Sequence, residues 1–325
     1  MLKQLVNECI IELAIRPEGP ILIKSGIETV SGPDMAFVRT RRNGKPQVFL
    51  PGSSLKGVLR SHAERIARTF GETKACDPFT KKPDGMRKTM FCGHRFEKRK
   101  KEWKETLDNP TVYKHSCPIC RLFGSTWYGG RLATADAYAE GRRPSIEQRD
   151  GVGIDRFTGG AARGAKFELE VVTSGTFVTT LHLRNFELWQ LGLVGFLLQD
   201  LKDGLIRVGM GKSRGLGKVR GEVRSVRVDF LGPHAPTPQN GTLTLKGVGS
   251  LVPSEMADTY GMVHPDEVAV AFSGEWRGGE GHIRHTARFA DENFPWKALG
   301  ERWVTYIKAY KTPPEMALER FAGGA

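Results

Sequence analysis

The chain has 325 residues, 39% hydrophobic and 26% charged, an ordinary make-up for a folded protein with one large or two modest domains. Lys and Arg number 49 against 36 Asp and Glu, a net charge of +13 with a pI near 9.6, so the expected partner is a polyanion: nucleic acid, or as the alternative an anionic membrane surface. No run of about 18 apolar residues occurs, and "NECIIELAIRPEGPILI" is too broken by charge and proline for a spanning helix or a signal peptide, so a cytoplasmic protein is expected.

Asn7 to Ile15 alternates loosely and ends at Pro17, which predicts a first strand. A Gly- and Pro-punctuated segment follows, then an Arg- and Lys-rich loop to Gln47. "VFLPGSS" reads as an extended entry to a helix. Leu55, Leu59, Ala63, Ile66 and Phe70 recur at helical spacing, with Ser53 or Ser54 as the expected cap and an end near Gly71. Composition changes sharply from Lys74 to Ser116, and residues 81–104 hold ten Lys or Arg against three acids. This predicts an inserted, exposed basic segment.

"GAKFELEVV" and "TFVTTLHL", separated by "TSG", read as a hairpin. "NFELWQLGLVGFLLQDL" is a second helix, with Asn185 as cap candidate and Gly204 as the stop. "LIRVGMGKSRGLGKVRGEVRSVRV" then gives strand, glycine loop and strand. The order strand–helix–strand–strand–helix–strand is ferredoxin-like, an α+β fold. Residues 1–228 form the expected core, 71–135 an insertion and 136–165 a protruding hairpin. After Val228, "DFLGPHAPTPQNG" reads as a linker to an extension over 229–325. That extension offers a strand pair ("EVAVAFSGEW", "HIRHTARFA") and a Trp-containing helix.

Five stretches carry chemistry. In "FLPGSSLKGVLR" a helix start with unpaired N–H groups and a positive dipole end suits a phosphate. Ser53 and Ser54 add hydroxyls, and Lys56 and Arg60 share one face. A capped surface helix with solvated cations is the plainer alternative. In "VGMGKSRGLGKVRG", Gly209, Gly211 and Gly215 allow close backbone approach, while Lys212 and Arg214 supply charge for phosphates. The loop opens no helix, which disfavours a nucleotide P-loop.

The third stretch is "SCPICRLFGS". Cys117 and Cys120 have the two-residue gap that lets both thiolates bind one tetrahedral zinc. Five cysteines, an odd count, argue against a disulfide framework, and Cys9 reads as a core residue. Cys92 is the expected third ligand and Cys76 the fourth, with His94 and His115 as alternatives. Such a zinc would staple the insertion. Fourth, Asp34 in "SGPDMAF" is a turn residue unless its loop faces nucleic acid, where a carboxylate can hold a metal ion or orient a hydroxyl. Fifth, "DGVGIDRFTGGAARGAKF" reads as a basic hairpin tip with Arg156, and with Phe157 as a residue able to wedge between nucleotides.

"LPGSSLKGVLR", "CPICRLFGS", "GVGIDRFTGGAARGAKFELEVV" and "GMGKSRGLGKVRG", in that order, resemble the RAMP superfamily of CRISPR-associated proteins. More narrowly they are similar to the backbone subunits of type III effector complexes. The resemblance implies an RRM-like core carrying a guide RNA, and subunits stacked head to tail beside other effector subunits. It implies that Ser53, Ser54, Lys56 and Arg60 contact guide phosphates beside the Gly209–Gly217 loop. The segment around 150–165 would be a thumb that displaces a nucleotide of the guide–target duplex. Asp34 occupies the place of the family's target-cleaving aspartate, implying endoribonuclease activity with Mg²⁺ or a similar ion. Two rivals stand within the same superfamily: a binding-only scaffold, and a metal-independent processing endonuclease using His62 or His182.

Overall fold

A computed structural model describes residues 3–26, 32–79, 91–102, 104, 106–279 and 281–311. Residues 80–90 of the basic insertion lie outside the described residues. Strand β1 (Asn7–Pro17) organises the rest. Its Cys9, Ile11, Leu13 and Ile15 are buried, and each flank pairs with a strand far away in sequence. Strands β2 (Arg39–Arg42) and β3 (Lys45–Leu50) close on Asn43 and Gly44, whose φ of 51° and 76° suit a tight hairpin turn.

Helix α1 (Gly52–Thr69) buries Leu55, Leu59, Ala63 and Ala67 as one stripe, as the spacing predicts. Its N-cap is Pro51, not a serine, and no side chain of the cap residue bonds the first turn. Ser53 and Ser54 lie one and two residues inside the helix. Next come α2 (Cys92–Glu102), α3 (Asn109–Lys114) and α4 (Pro118–Phe123), then the short pair β4 (Gly124–Ser125) and β5 (Tyr128–Gly129).

The chain returns to the main sheet through β6 (Leu132–Thr134) and β7 (Ala137–Glu140). It then leaves as a separate antiparallel pair, β8 (Ile146–Ile154) and β9 (Ala161–Val172), and comes back as β10 (Thr176–Arg184). The expected hairpin across "TSG" is therefore overturned: β9 pairs with β8, and β10 lies between β1 and β7. Alternation marks a strand's faces but does not choose its neighbour. The projecting pair spans Ile146–Val172 rather than 136–165, and Ala137–Glu140 belong to the main sheet.

Helix α5 (Leu188–Lys202) is capped by Glu187, whose N–H donates to Gln190 Oε1 at 3.1 Å. Asn185, the expected cap, instead takes φ +48° and its Oδ1 accepts the Val6 N–H. Gly204 follows the helix end with φ +72°, as expected of a stop. Strand β11 (Val219–Leu231) completes a four-strand order β11-β1-β10-β6, with α1 before β6 and α5 before β11.

Residue 228 falls inside β11, and the following residues add to the same sheet. Strands β12 (Thr242–Lys246) and β13 (Glu267–Ala271) pair with each other, with α6 (Ser254–Tyr260) between them. Strand β14 (Glu275–Arg277) pairs with β15 (Arg284–Phe289), which pairs with β11. So "EVAVA" does not join "HIRHTARFA" as expected; the Glu275–Arg277 segment does. The full order is β14-β15-β11-β1-β10-β7-β3-β2, with β6 also on β10. Helix α7 (Trp296–Ala309) packs on α5, where Trp189 stacks on Tyr306 at 4.1 Å and on Trp303 at 5.8 Å. Among the described residues no helix is long and apolar enough to cross a membrane.

Asp266 ties the extension to α5, its Oδ2 accepting the Leu188 N–H at 2.9 Å. Burial, then the charge of nearby Glu187, pushes its carboxyl up to about 7. A raised carboxyl pKa means the folded state holds a proton that the unfolded chain has lost. This group therefore favours folding more as pH falls from about 7 towards about 4, on the order of a few kcal/mol. Asp266→Asn should stabilise the protein relative to wild type more at pH 8 than at pH 5. Denaturant melts at both pH values check this, and an equal difference at the two would overturn it.

Candidate functional site

Cys76, Cys92, Cys117 and Cys120 are all buried, with their sulfurs within 4.8 Å of one another. Cys76 Sγ lies 3.5 Å from Cys120 Sγ and 3.6 Å from Cys117 Sγ. Four thiolates on a tetrahedral zinc at about 2.3 Å sit roughly 3.8 Å apart, so the residues present fit such an ion. The cluster can hold a metal such as zinc. Cys117 caps α4 and its sulfur accepts the Cys120 N–H at 3.4 Å. Burial opposes ionisation of Cys117, but hydrogen bonds from Cys120, Cys76 and Cys92 outweigh it and hold the thiol well below its ordinary range. His94 turns to Glu97 at 3.7 Å and His115 lies by Arg99, so neither joins the four sulfurs. Cys9 is buried in β1, outside the cluster.

Arg60 corrects an expectation. Its Nε donates to Glu64 at 3.1 Å, Nη1 to the Gly124 carbonyl at 3.0 Å and Nη2 to Cys120 Sγ at 3.4 Å. Burial opposes its charge, and the Cys120 sulfur and Glu64 carboxylate outweigh that and keep it protonated. The guanidinium serves the cysteine cluster rather than facing solvent for a phosphate. Arg68, two turns on, donates to the Cys76 carbonyl at 2.9 Å. Helix α1 is thus clamped to two of the four cysteines.

The helix start also differs from expectation. Asp136 Oδ1 accepts the Gly52 N–H at 2.8 Å, and Thr134 Oγ1 donates to the Gly52 carbonyl at 2.6 Å. A Cβ on Gly52 would lie 2.4 Å from the Thr134 carbonyl oxygen, so only glycine allows this contact. The first main-chain helical bond is Leu55 N–H to Pro51, which leaves the Ser53 and Ser54 amides at the open end. Lys56 is half-buried, and burial and then Arg60 push its ammonium below the usual range. No sequence signal joins Asp136 to Gly52, because 84 residues separate them.

The glycine loop is pinned to residues 20–22. Met210 N–H donates to the Leu22 carbonyl at 2.9 Å and Gly217 N–H to that of Pro20 at 2.8 Å. Gly209 takes φ +85° with Leu22 O only 2.2 Å from where a Cβ would stand. Gly211 and Gly215 bracket a single turn that holds Lys212 and Arg214. Burial and then Arg65 of α1 lower the Lys212 ammonium. The Arg214 guanidinium lies over the Phe167 ring at 5.8 Å, a contact that the sequence reading missed.

Phe167 belongs to β9, and the next residue reaches Asp34. Asp34 Oδ2 accepts the Glu168 N–H at 2.8 Å, Met35 exchanges backbone bonds with Glu168 and Glu170, and Arg39 holds Glu170 through two 2.6 Å bonds. The exposed Asp34 therefore sits midway along the β8–β9 pair, beside the Asp150–Glu168 rung. At the tip, Asp155 Oδ1 accepts the Phe157 and Thr158 N–H groups, and Phe157 is 100% exposed beside exposed Arg156. Asp34, the projecting pair, the glycine loop and α1 thus form one linked surface. His62 of α1 is engaged by Asp200 at 2.5 Å and by Arg65 at 2.9 Å, and His182 of β10 by Glu8 at 2.8 Å.

A family model described as the RAMP superfamily matches residues 15–220, well over half of the chain. No curated protein matches it.

Proposed function

Because the chain belongs to the RAMP superfamily, we propose that it is a guide-RNA-binding backbone subunit of a type III CRISPR effector complex. In this reading it cleaves guide-paired target RNA through Asp34. The observation that carries the proposal is the linkage of Asp34, the β8–β9 pair and the glycine loop through Glu168, Phe167 and Arg214. The order β11-β1-β10-β6, with α1 and α5 between strands, supports reading the core as ferredoxin-like. The core then closes with β11, and the rest is an extension that adds β15 and β14 to the same sheet and forms the separate β12–β13 pair.

RNA phosphates would lie against the Ser53 and Ser54 amides, Lys56, Lys212 and Arg214, which read backbone and leave sequence to base pairing. Arg156 and Phe157 at the tip would enter the guide–target duplex. The four cysteines would hold a structural zinc beneath α1. Asp34 belongs to no group of three or more metal-binding side chains among the described residues. A hard cation such as Mg²⁺ takes several oxygen ligands, so RNA phosphates would have to supply most of them. Copies of the chain would stack along the guide, with other effector subunits at the ends.

One observation favours the scaffold alternative: Asp34 already has a structural role, holding the Glu168 N–H. The experiment is cleavage of a labelled guide-complementary RNA by the reconstituted complex with Mg²⁺, wild type beside Asp34→Ala. Equal target binding with cleavage lost, a fall of at least about a hundredfold, is the expected result. Equal cleavage by both would place the nuclease elsewhere, and no cleavage by either would leave the chain a scaffold.

A further inference from the structure

We infer that the sheet face turned away from the helices is a second phosphodiester-binding surface, on which guanidinium groups form a canopy over two sunken carboxylates. Strand pairing fixes which side chains share that face. Leu13 and Leu181 point the other way, against Leu55 and Leu59 of α1. Glu8 stands opposite Arg184 on one side and Asp229 on the other. One position along β1, Ile10 stands opposite His182 and Arg227, and Arg227 opposite Arg288 of β15.

Glu8 and Asp229 are only 6% and 1% exposed, whereas Arg184, Arg277, Arg284 and Arg288 are all exposed. Arg284 Nη1 donates to both carboxylates, at 2.5 and 2.7 Å, and Thr286 and His182 complete their bonds. The two sunken carboxylates therefore lie at the bottom and the guanidinium groups on top, with exposed Glu275 of β14 opposite Arg288. Such a patch presents a positive field to solvent with guanidinium groups already oriented, which lowers the ordering cost of binding an anion. Arg227 and Arg288 stand opposite each other across adjacent strands, with Arg227 Nε 3.2 Å from Asp229 Oδ2 and Arg288 opposite Glu275 of β14. No Phe, Tyr or Trp occurs in these two rows, so the surface offers contacts to phosphates and none for stacking bases. A net charge of +13 on the chain fits a polyanion here too. A strand on the α1 and glycine-loop surface lies across the sheet from this face, so two separate stretches of nucleic acid are implied.

The test is fluorescence anisotropy of the full chain with a labelled single-stranded RNA of mixed sequence, over about 50–200 mM salt. Arg184→Ala with Arg288→Ala removes two exposed cations and leaves the bonds of Arg284 to Glu8 and Asp229 in place, with Arg184 reaching Glu8 only at 3.8 Å. The affinity should fall about tenfold at low salt, and the slope of log K against log salt should shrink by about 1.4, two contacts at about 0.7 each. The same loss is expected with DNA of that sequence, and a loss confined to RNA overturns a phosphate-only surface. Unchanged affinity and slope overturn the inference, as does binding to phosphatidylserine vesicles without binding to RNA. Lys212→Ala with Arg214→Ala separates this result from the proposed function. A loss there alone leaves that function standing and removes the sheet face, while a loss in the sheet pair alone does the reverse.

Discussion

Replacing Cys117 by serine is expected to release about one metal ion per chain and to unfold the region between α1 and β6. Serine cannot replace a thiolate in the tight four-sulfur geometry, and Cys117 touches all three partners: Cys76 at 3.6 Å, the Cys120 N–H at 3.4 Å, and Cys92, whose sulfur accepts the Cys117 N–H at 3.4 Å. Structural zinc supplies on the order of 10 kcal/mol to small domains that fold around it. Here α2, α3 and α4 have only 11, 6 and 6 residues, too short to hold shape without the cluster and their packing. A loss of several kcal/mol is the expected scale. Metal analysis of the purified variant beside its denaturant midpoint checks it; wild-type metal content in the variant would remove the metal reading. The damage should spread to α1, because Arg60 and Arg68 hold Cys120 and the Cys76 carbonyl.

Trp303→Ala should destabilise the whole chain by about 3–5 kcal/mol, the cost of emptying a large buried aromatic site. Trp303 is 0% exposed, stacks on Trp189 of α5, and its helix presses Leu299 against Gly192, where a Cβ would come within 2.0 Å of the Leu299 carbonyl. If residues after β11 were a loosely attached unit, the loss would appear as a separate early transition. A single cooperative transition, shifted as a whole, is the expected outcome in a urea melt followed by tryptophan fluorescence and by circular dichroism.

The sequence was legible where local pattern decides structure. The stripe of Leu55, Leu59 and Ala63 marked α1, and the two-residue gap between Cys117 and Cys120 led to the cysteine cluster with Cys76 and Cys92. It was illegible where distant partners decide. Arg60 looks like a phosphate ligand by its place in the helix, and only the fold brings Cys120 and Gly124 within its reach. Strand β9 alternates as β10 does, yet it belongs to a different sheet. Asn185 resembles a cap by residue type, while Glu187 and Gln190 do the capping.

The bond from Gly52 N–H to Asp136 gives the helix start an incumbent. A carboxylate from the chain already neutralises part of the positive helix end, while the Ser53 and Ser54 amides stay open beside it. In the proposed reading an arriving phosphate would take those open amides with Asp136 as its neighbour, and like charge so close would weaken the seat. A chain of such weakened seats along a guide would hold it by number, and would let any one nucleotide lift away without stripping its neighbours.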